Sequence, residues 1–139
     1  MNELPDNNYE EARRWAGNAD ADLRAMQAVQ NDEASPRRVV CFMAHLVVEK
    51  ALKATLIDAE VPFGKTHDLL ELHDLCSSVG RLREIRRAEL ARLNPWAVDG
   101  RYSDDLAEAE RALAHELAAF AVDVMTALRG EMEVIPGRD

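Results

Sequence analysis

A chain of 139 residues with 47% hydrophobic and 31% charged side chains reads as one globular domain, able to bury a core without metal or disulfide staples and too apolar to be disordered. Aromatics are scarce at 5% while Ala and Leu abound, which favours helices over a β-sandwich. A formal charge of −9 argues against a DNA groove or any extended nucleic-acid surface, because phosphate contacts need a basic face; a compact nucleotide pocket or a local basic patch stays open.

The opening MNELPDNNYE is acidic and polar, unlike a secretory signal. No apolar stretch approaches the roughly 20 residues that span a bilayer. The expectation is a cytoplasmic protein with no membrane association.

The first predicted helix runs from about residue 9 to 30, with Asn8 and Glu11 at capping-box spacing and Trp15, Ala19, Leu23 and Met26 on one stripe. Asn31, Asp32 and Glu33 break it. Ser35 as cap and Pro36 as first helical residue then open a second helix reaching about residue 59. Its apolar residues, Val39, Phe42, Met43, Leu46, Val47, Ala51, Ala54 and Ile57, cover so wide a face that it should be the central helix. Glu49, Lys50 and Lys53 occupy the remaining side.

Val61-Pro62-Phe63-Gly64 reads as a loop. Thr66 can cap a third helix over about 67–79, with Leu69, Leu72, Cys76 and Val79 inward and Gly80 ending it. A fourth helix over about 81–93 carries Leu82, Ile85, Leu90 and Leu93 and stops at Asn94-Pro95. After a connection to about residue 102, Ser103 caps the last helix and Asp104 and Asp105 complement its dipole. Leu106, Leu113, Leu117, Phe120, Val124 and Leu128 line that helix, Gly130 ends it, and Glu131 to Asp139 form a tail. The fold expectation is an all-α, up-and-down bundle of about five helices in a single domain, with a core over about 9–129. Cys41 and Cys76, the two cysteines, read as buried reduced thiols.

Three stretches carry a family pattern. They are Glu49-Lys50-Ala51-Leu52-Lys53-Ala54, then Lys65-Thr66-His67-Asp68-Leu69, and, after Leu93-Asn94-Pro95-Trp96, Arg101-Tyr102-Ser103-Asp104. In this order they resemble the HEPN domain family, in a branch with an EKALKA … KTHDL … RYPD-like signature, and Trp15 with Asp22-Leu23 fits the first helix. The resemblance covers roughly residues 9–129. It implies a helical bundle that forms a homodimer and associates with nucleotides or RNA. Many such proteins are encoded beside a minimal nucleotidyltransferase and pair with it as toxin and antitoxin. Others are metal-independent ribonucleases, with an Arg and a His separated by four to six residues and meeting across the dimer. Here Arg111 and His115 have three residues between them, whereas Arg38 and His45 have six, though in the second helix rather than later in the fold. The branch commonly shows His-x-Gln where this chain has Met43-x-His45, and Pro where it has Ser103.

Several residues then compete between chemistry and scaffolding. Lys65, Thr66 and His67 lead into a helix N-terminus and suit a phosphate, or they simply cap the helix. Arg101, Tyr102 and Asp104 offer a bidentate phosphate grip and a stacking ring, or a structural ion pair beside a buried Tyr. Tyr102 is also a conceivable acceptor of a transferred nucleotide. Lys50 and Lys53, beside Glu49, line a polar cleft or a solvated strip. Arg81, Arg83, Arg86, Arg87 and Arg92 form a solvated helix face or an RNA contact. The ligand-binding candidates are therefore Lys50, Lys53, Lys65, His67, Arg101, Tyr102 and Asp104. If the chain is a ribonuclease, its catalytic candidates are Arg38, His45 and Arg101, with Arg stabilising charge and His moving protons. A non-catalytic dimeric adaptor is the third reading.

His67-Asp68 and His73-Asp74 are six residues apart, about 600° of helical turn, so the two histidines do not share a helix face. The chain contains no Glu-x-x-His, His-Glu-x-x-His or cysteine cluster, no glycine-rich phosphate loop and no Gly-x-Ser-x-Gly. No metal, cofactor or covalent hydrolase chemistry is expected.

Overall fold

The computed structural model describes residues 4–97 and 109–133. The expectations for Arg101, Tyr102, Ser103, Asp104, Asp105 and Leu106 lie outside them. Five α-helices follow in order: α1 (Leu4–Gln30), α2 (Arg37–Asp58), α3 (Leu69–Ser78), α4 (Arg87–Leu93) and α5 (Arg111–Glu133), with a 3₁₀ turn at Asn94–Trp96. No strand occurs among the described residues. The chain is an all-α helical bundle, and none of its described helices is long and apolar enough to cross a membrane.

The breadth of the apolar face of α2 dictates the arrangement. Residues 51–56 are all buried, as are Val47, Val48 and Glu49, so the helix has almost no solvent side over its middle turns. It packs on α1, α5 and α3. Ala44, Ala51, Ala19 and Ala121 are fully buried, and their small side chains let neighbouring helices approach. Leu23, Met26, Leu52, Leu56, Leu69, Leu72, Leu93, Leu117, Val124 and Leu128 fill the core. Cys41 and Cys76 are reduced and buried; burial pushes the Cys76 thiol up to about 12.

The element ends differ from expectation where side chains found other partners. Helix α1 begins by Leu4, so Asn8 and Glu11 lie inside it, and Glu11 bonds Arg14 and Trp15 instead of capping. Pro36 is the extended N-cap of α2, and no side chain caps the helix. Ser35 instead donates to Asp32 in the preceding turn. Asp68, not Thr66, caps α3 by accepting the Leu70 and Glu71 amides. Thr66 accepts the Asp68 amide one step earlier. Val79, expected inward, is 46% exposed.

The expected fourth helix is shortened to Arg87–Leu93. Its first part is held open by Leu82, at φ 52, whose amide donates to Glu131 and whose carbonyl accepts from His73. Arg81 bridges Asp58 at the end of α2 and Glu131 near the end of α5, at 3.2 and 2.7 Å. Glu131 is thereby an anchor, and α5 runs through Gly130 to Glu133 instead of stopping at the glycine.

Candidate functional site

On α2, His45, Glu49 and Lys53 follow one another at four-residue intervals, so they form one stripe along the helix. They are buried to 0%, 6% and 8% exposure, an expensive place for ionisable groups unless they bind one another. The Lys53 ammonium donates to Glu49 Oε2 at 2.8 Å. The loop before α3 lies over this stripe and contributes His67, whose Nδ1 donates to Glu49 at 2.9 and 3.1 Å. Lys53 is also 5.9 Å from the ring centroids of both Trp15 and Phe63, within cation–π range. Glu49 is therefore the hub of a polar cluster walled by two aromatics.

His45 faces the hub differently. Its Nε2 is 3.1 Å from the His67 carbonyl, which can only accept, so Nε2 carries the hydrogen. Its Nδ1 lies 3.5 Å from Glu49 and has no hydrogen bond. Burial holds the His45 pKa below 6.5, opposed by the Glu49 charge and the carbonyl. At neutral pH His45 is thus an uncharged strut that fixes the backbone at His67. The Nε2 of His67 has no hydrogen bond among the described residues, and its side chain is 50% exposed. With Nδ1 donating to Glu49, the neutral ring offers Nε2 as an acceptor, and once protonated there it can donate to an anion or pass a proton.

The structure brings His45, Lys53 and His67 together and sets Lys65, exposed, two residues from His67. Lys50 turns to α1 and pairs with Asp22 at 2.7 Å. Arg38 is exposed in the first turn of α2, two turns before the fully buried His45. Arg101, Tyr102 and Asp104 lie outside the described residues. Of the arginine run, Arg81 and Arg87 pair with carboxylates from other segments, Arg86 pairs with Glu89, and Arg92 pairs with Glu89 and Glu116. Arg83 is exposed. His73 is buried and bonds the Leu82 carbonyl, far from any shared role with His67. Among the described residues no three His, Cys, Asp or Glu side chains are grouped to hold a metal ion.

Sequence reasoning passed over Trp15 and Phe63 as walls of the cluster and Asn94 as a linker. Asn94 accepts the Leu69 amide at 2.9 Å and donates to the Asp68 carboxylate at 3.0 Å. That bond, first among the causes, holds the Asp68 pKa below its usual value. The four-residue spacing of His45, Glu49 and Lys53 was the available signal for the stripe. Nothing local marked the loop contacts.

Two of the stretches that carried the family pattern, and the turn that follows α4, are thus physically joined. The Glu49–His67 bond ties the α2 motif to the loop motif, and Asn94 ties the loop motif to the turn after α4. The HEPN domain family model matches residues 12–131, a span that contains every one of these contacts. No curated protein and no solved structure matches the chain. With residues 12–131 of its 139 matched by the family model, the chain belongs to the HEPN domain family.

Proposed function

We propose that this protein is a nucleotide- or RNA-associated binding module that works as a homodimer with a minimal nucleotidyltransferase, in a toxin–antitoxin pair. HEPN membership supports a nucleotide- or RNA-related role. The observation that carries the site is His67, oriented by the buried Glu49 beside Lys53 while its Nε2 is left without a bond among the described residues. A base-edge N–H arriving there can donate to Nε2, and a phosphate can accept from it once Nε2 is protonated, with Lys65 exposed two residues away. Arg101, Tyr102 and Asp104 complete the proposed ligand set; Lys53 acts on it through Glu49, and Lys50, turned to Asp22 on α1, stands outside it.

Thermal-shift measurement against a nucleotide panel tests this reading, with His67→Ala as the control variant. A stabilisation lost in His67→Ala supports it; a flat response to every nucleotide leaves the adaptor reading. Co-expression with the neighbouring gene, scored by growth and co-purification, tests the partner. Mass spectrometry of Tyr102 after co-expression tests nucleotide transfer, and an unmodified tyrosine removes that idea.

The carboxylate-held His67 also favours a second reading, metal-independent RNA cleavage by acid–base chemistry. RNA cut in EDTA and spared by His67→Ala, Arg101→Ala or His45→Ala is the expected result under that reading. Cleavage indifferent to all three removes these residues as its catalysts, and intact RNA removes the reading.

A further inference from the structure

The chain has four histidines, and their surroundings separate one from the rest. His45 is fully buried and spends its Nε2–H on the His67 carbonyl. His73 is 4% exposed, with its Nε2 on the Leu82 carbonyl. His115 lies exposed on α5 with no hydrogen bond or ion pair among the described residues. Among the four, only His67 joins a held Nδ1 to an open Nε2. Its Nδ1 donates to the Glu49 carboxylate at 2.9 and 3.1 Å, while half of the side chain faces water.

That asymmetry fixes more than a ring orientation. With the hydrogen on Nδ1, the Nε2 lone pair of the neutral ring is left free, and the Glu49 charge behind the ring makes it more electron-rich. Glu49 is only 6% exposed, so water screens that charge little. Lys53 orients the carboxylate through its 2.8 Å bond, and the His45 bond pins the His67 backbone. A nucleophile, a carboxylate within hydrogen-bond reach and a third group that orients the carboxylate are therefore assembled in one place. The neighbouring Asp68 carboxylate is engaged by the Leu70 and Glu71 amides and by Asn94. Lys65, exposed in the same loop, supplies a cation for phosphoryl oxygens.

We propose that His67 is a phosphoryl acceptor, taking the group on Nε2 from an acyl phosphate. The Nε2 lone pair attacks phosphorus, a P–N bond forms, and the bond from phosphorus to the acyl oxygen breaks. The acyl group leaves as a carboxylate with the electron pair of that bond and needs no proton. The ring keeps its Nδ1 hydrogen, and the positive charge it gains is paired with Glu49, a counter-charge in place before the reaction begins. This step goes beyond ligand binding and needs no nucleotide.

The test is incubation of the intact chain with acetyl phosphate, followed by mass spectrometry and phosphorus NMR. One acid-labile phosphoryl group is expected, on His67. It should form about tenfold faster than at His115, an internal reference for an exposed histidine without a carboxylate. Long-range proton–nitrogen NMR of the native chain should place the hydrogen of unmodified His67 on Nδ1 and the phosphoryl group on Nε2, a readout that needs no variant. His67→Gln should remove the modification, and His115→Gln should leave it. Glu49→Gln keeps an acceptor for Nδ1 but loses the charge, and should slow the reaction about tenfold. An unmodified chain, equal rates at His67 and His115, an acid-stable ester on a hydroxyl in place of His67, or attachment at Nδ1 would overturn the proposal. The nucleotide reading is judged separately by its thermal shifts: stabilisation by nucleotide in a chain that acetyl phosphate leaves unmodified refutes phosphorylation alone.

Discussion

Glu49 takes hydrogen bonds from Lys53 and His67 in a space nearly closed to water, and this sets the consequences of changing it. Glu49→Gln leaves the Lys53 ammonium buried without a counter-charge and should cost about 3 kcal/mol, seen as a lower urea midpoint. Glu49→Leu combined with Lys53→Met removes both charges and should cost less than Glu49→Gln alone. A double variant worse than the single one would mean that the cluster stabilises by something other than charge pairing. His45 adds a pH dependence. Its folded pKa lies below 6.5, so protonation favours the unfolded chain. Its contribution is complete above about pH 6.5 and declines as pH falls from there towards the folded pKa. Urea midpoints measured at about pH 7.5 and 5.5 should diverge more for the native chain than for His45→Gln, which keeps a donor for the His67 carbonyl. Equal slopes in the two proteins would remove His45 as the titrating group.

At the scale of elements, α2 and α3 end alike but with different residues. In each, two amides past the last turn bond back to its carbonyls: Val61 to Leu56 and Glu60 to Ile57 in one, Arg81 to Cys76 and Gly80 to Ser77 in the other. Both motifs need a left-handed residue. Gly80 supplies it at φ 77, and Glu60 is forced to φ 60. A left-handed non-glycine costs on the order of 1 kcal/mol, so Glu60→Gly should stabilise by up to that amount and raise Tm by roughly 3 °C. Gly80→Ala should lose a similar amount, for backbone reasons only, since a Cβ there meets nothing within 4 Å. Calorimetric melts of the two variants check the pair, and shifts of the same sign would refute the account. The glycine stop after α3 was legible because Gly at a helix end has few other uses. The equivalent stop after α2 was read only from the loop beyond it, because Glu60 looks like any surface residue.

Over the whole molecule, Arg81 closes the bundle by joining the ends of α2 and α5 through Asp58 and Glu131. The Asp58 side chain is only 2% exposed, so Arg81→Ala leaves a buried carboxylate without its cation. A loss of about 3 kcal/mol is expected, measured by urea denaturation, with Asp58→Asn in the same chain recovering part of it. Additive losses in the double variant would show that the two groups do not interact. Sequence reading took Arg81 as one of five arginines on a solvated face. Its separation from Glu131 by 50 residues hid the pairing.

The helical class, the central position of α2, the reduced cysteines and the family were determined by the sequence itself. Periodicity and the breadth of an apolar face are local properties that every stable packing must satisfy. The tertiary structure alone decided that Glu49 is a hub, that the loop before α3 lies over α2, and that segment 81–86 stays open. Each depends on a buried charge or backbone group choosing its partner among residues distant in the chain, and that choice is made by the geometry of packing, on which a linear pattern is silent.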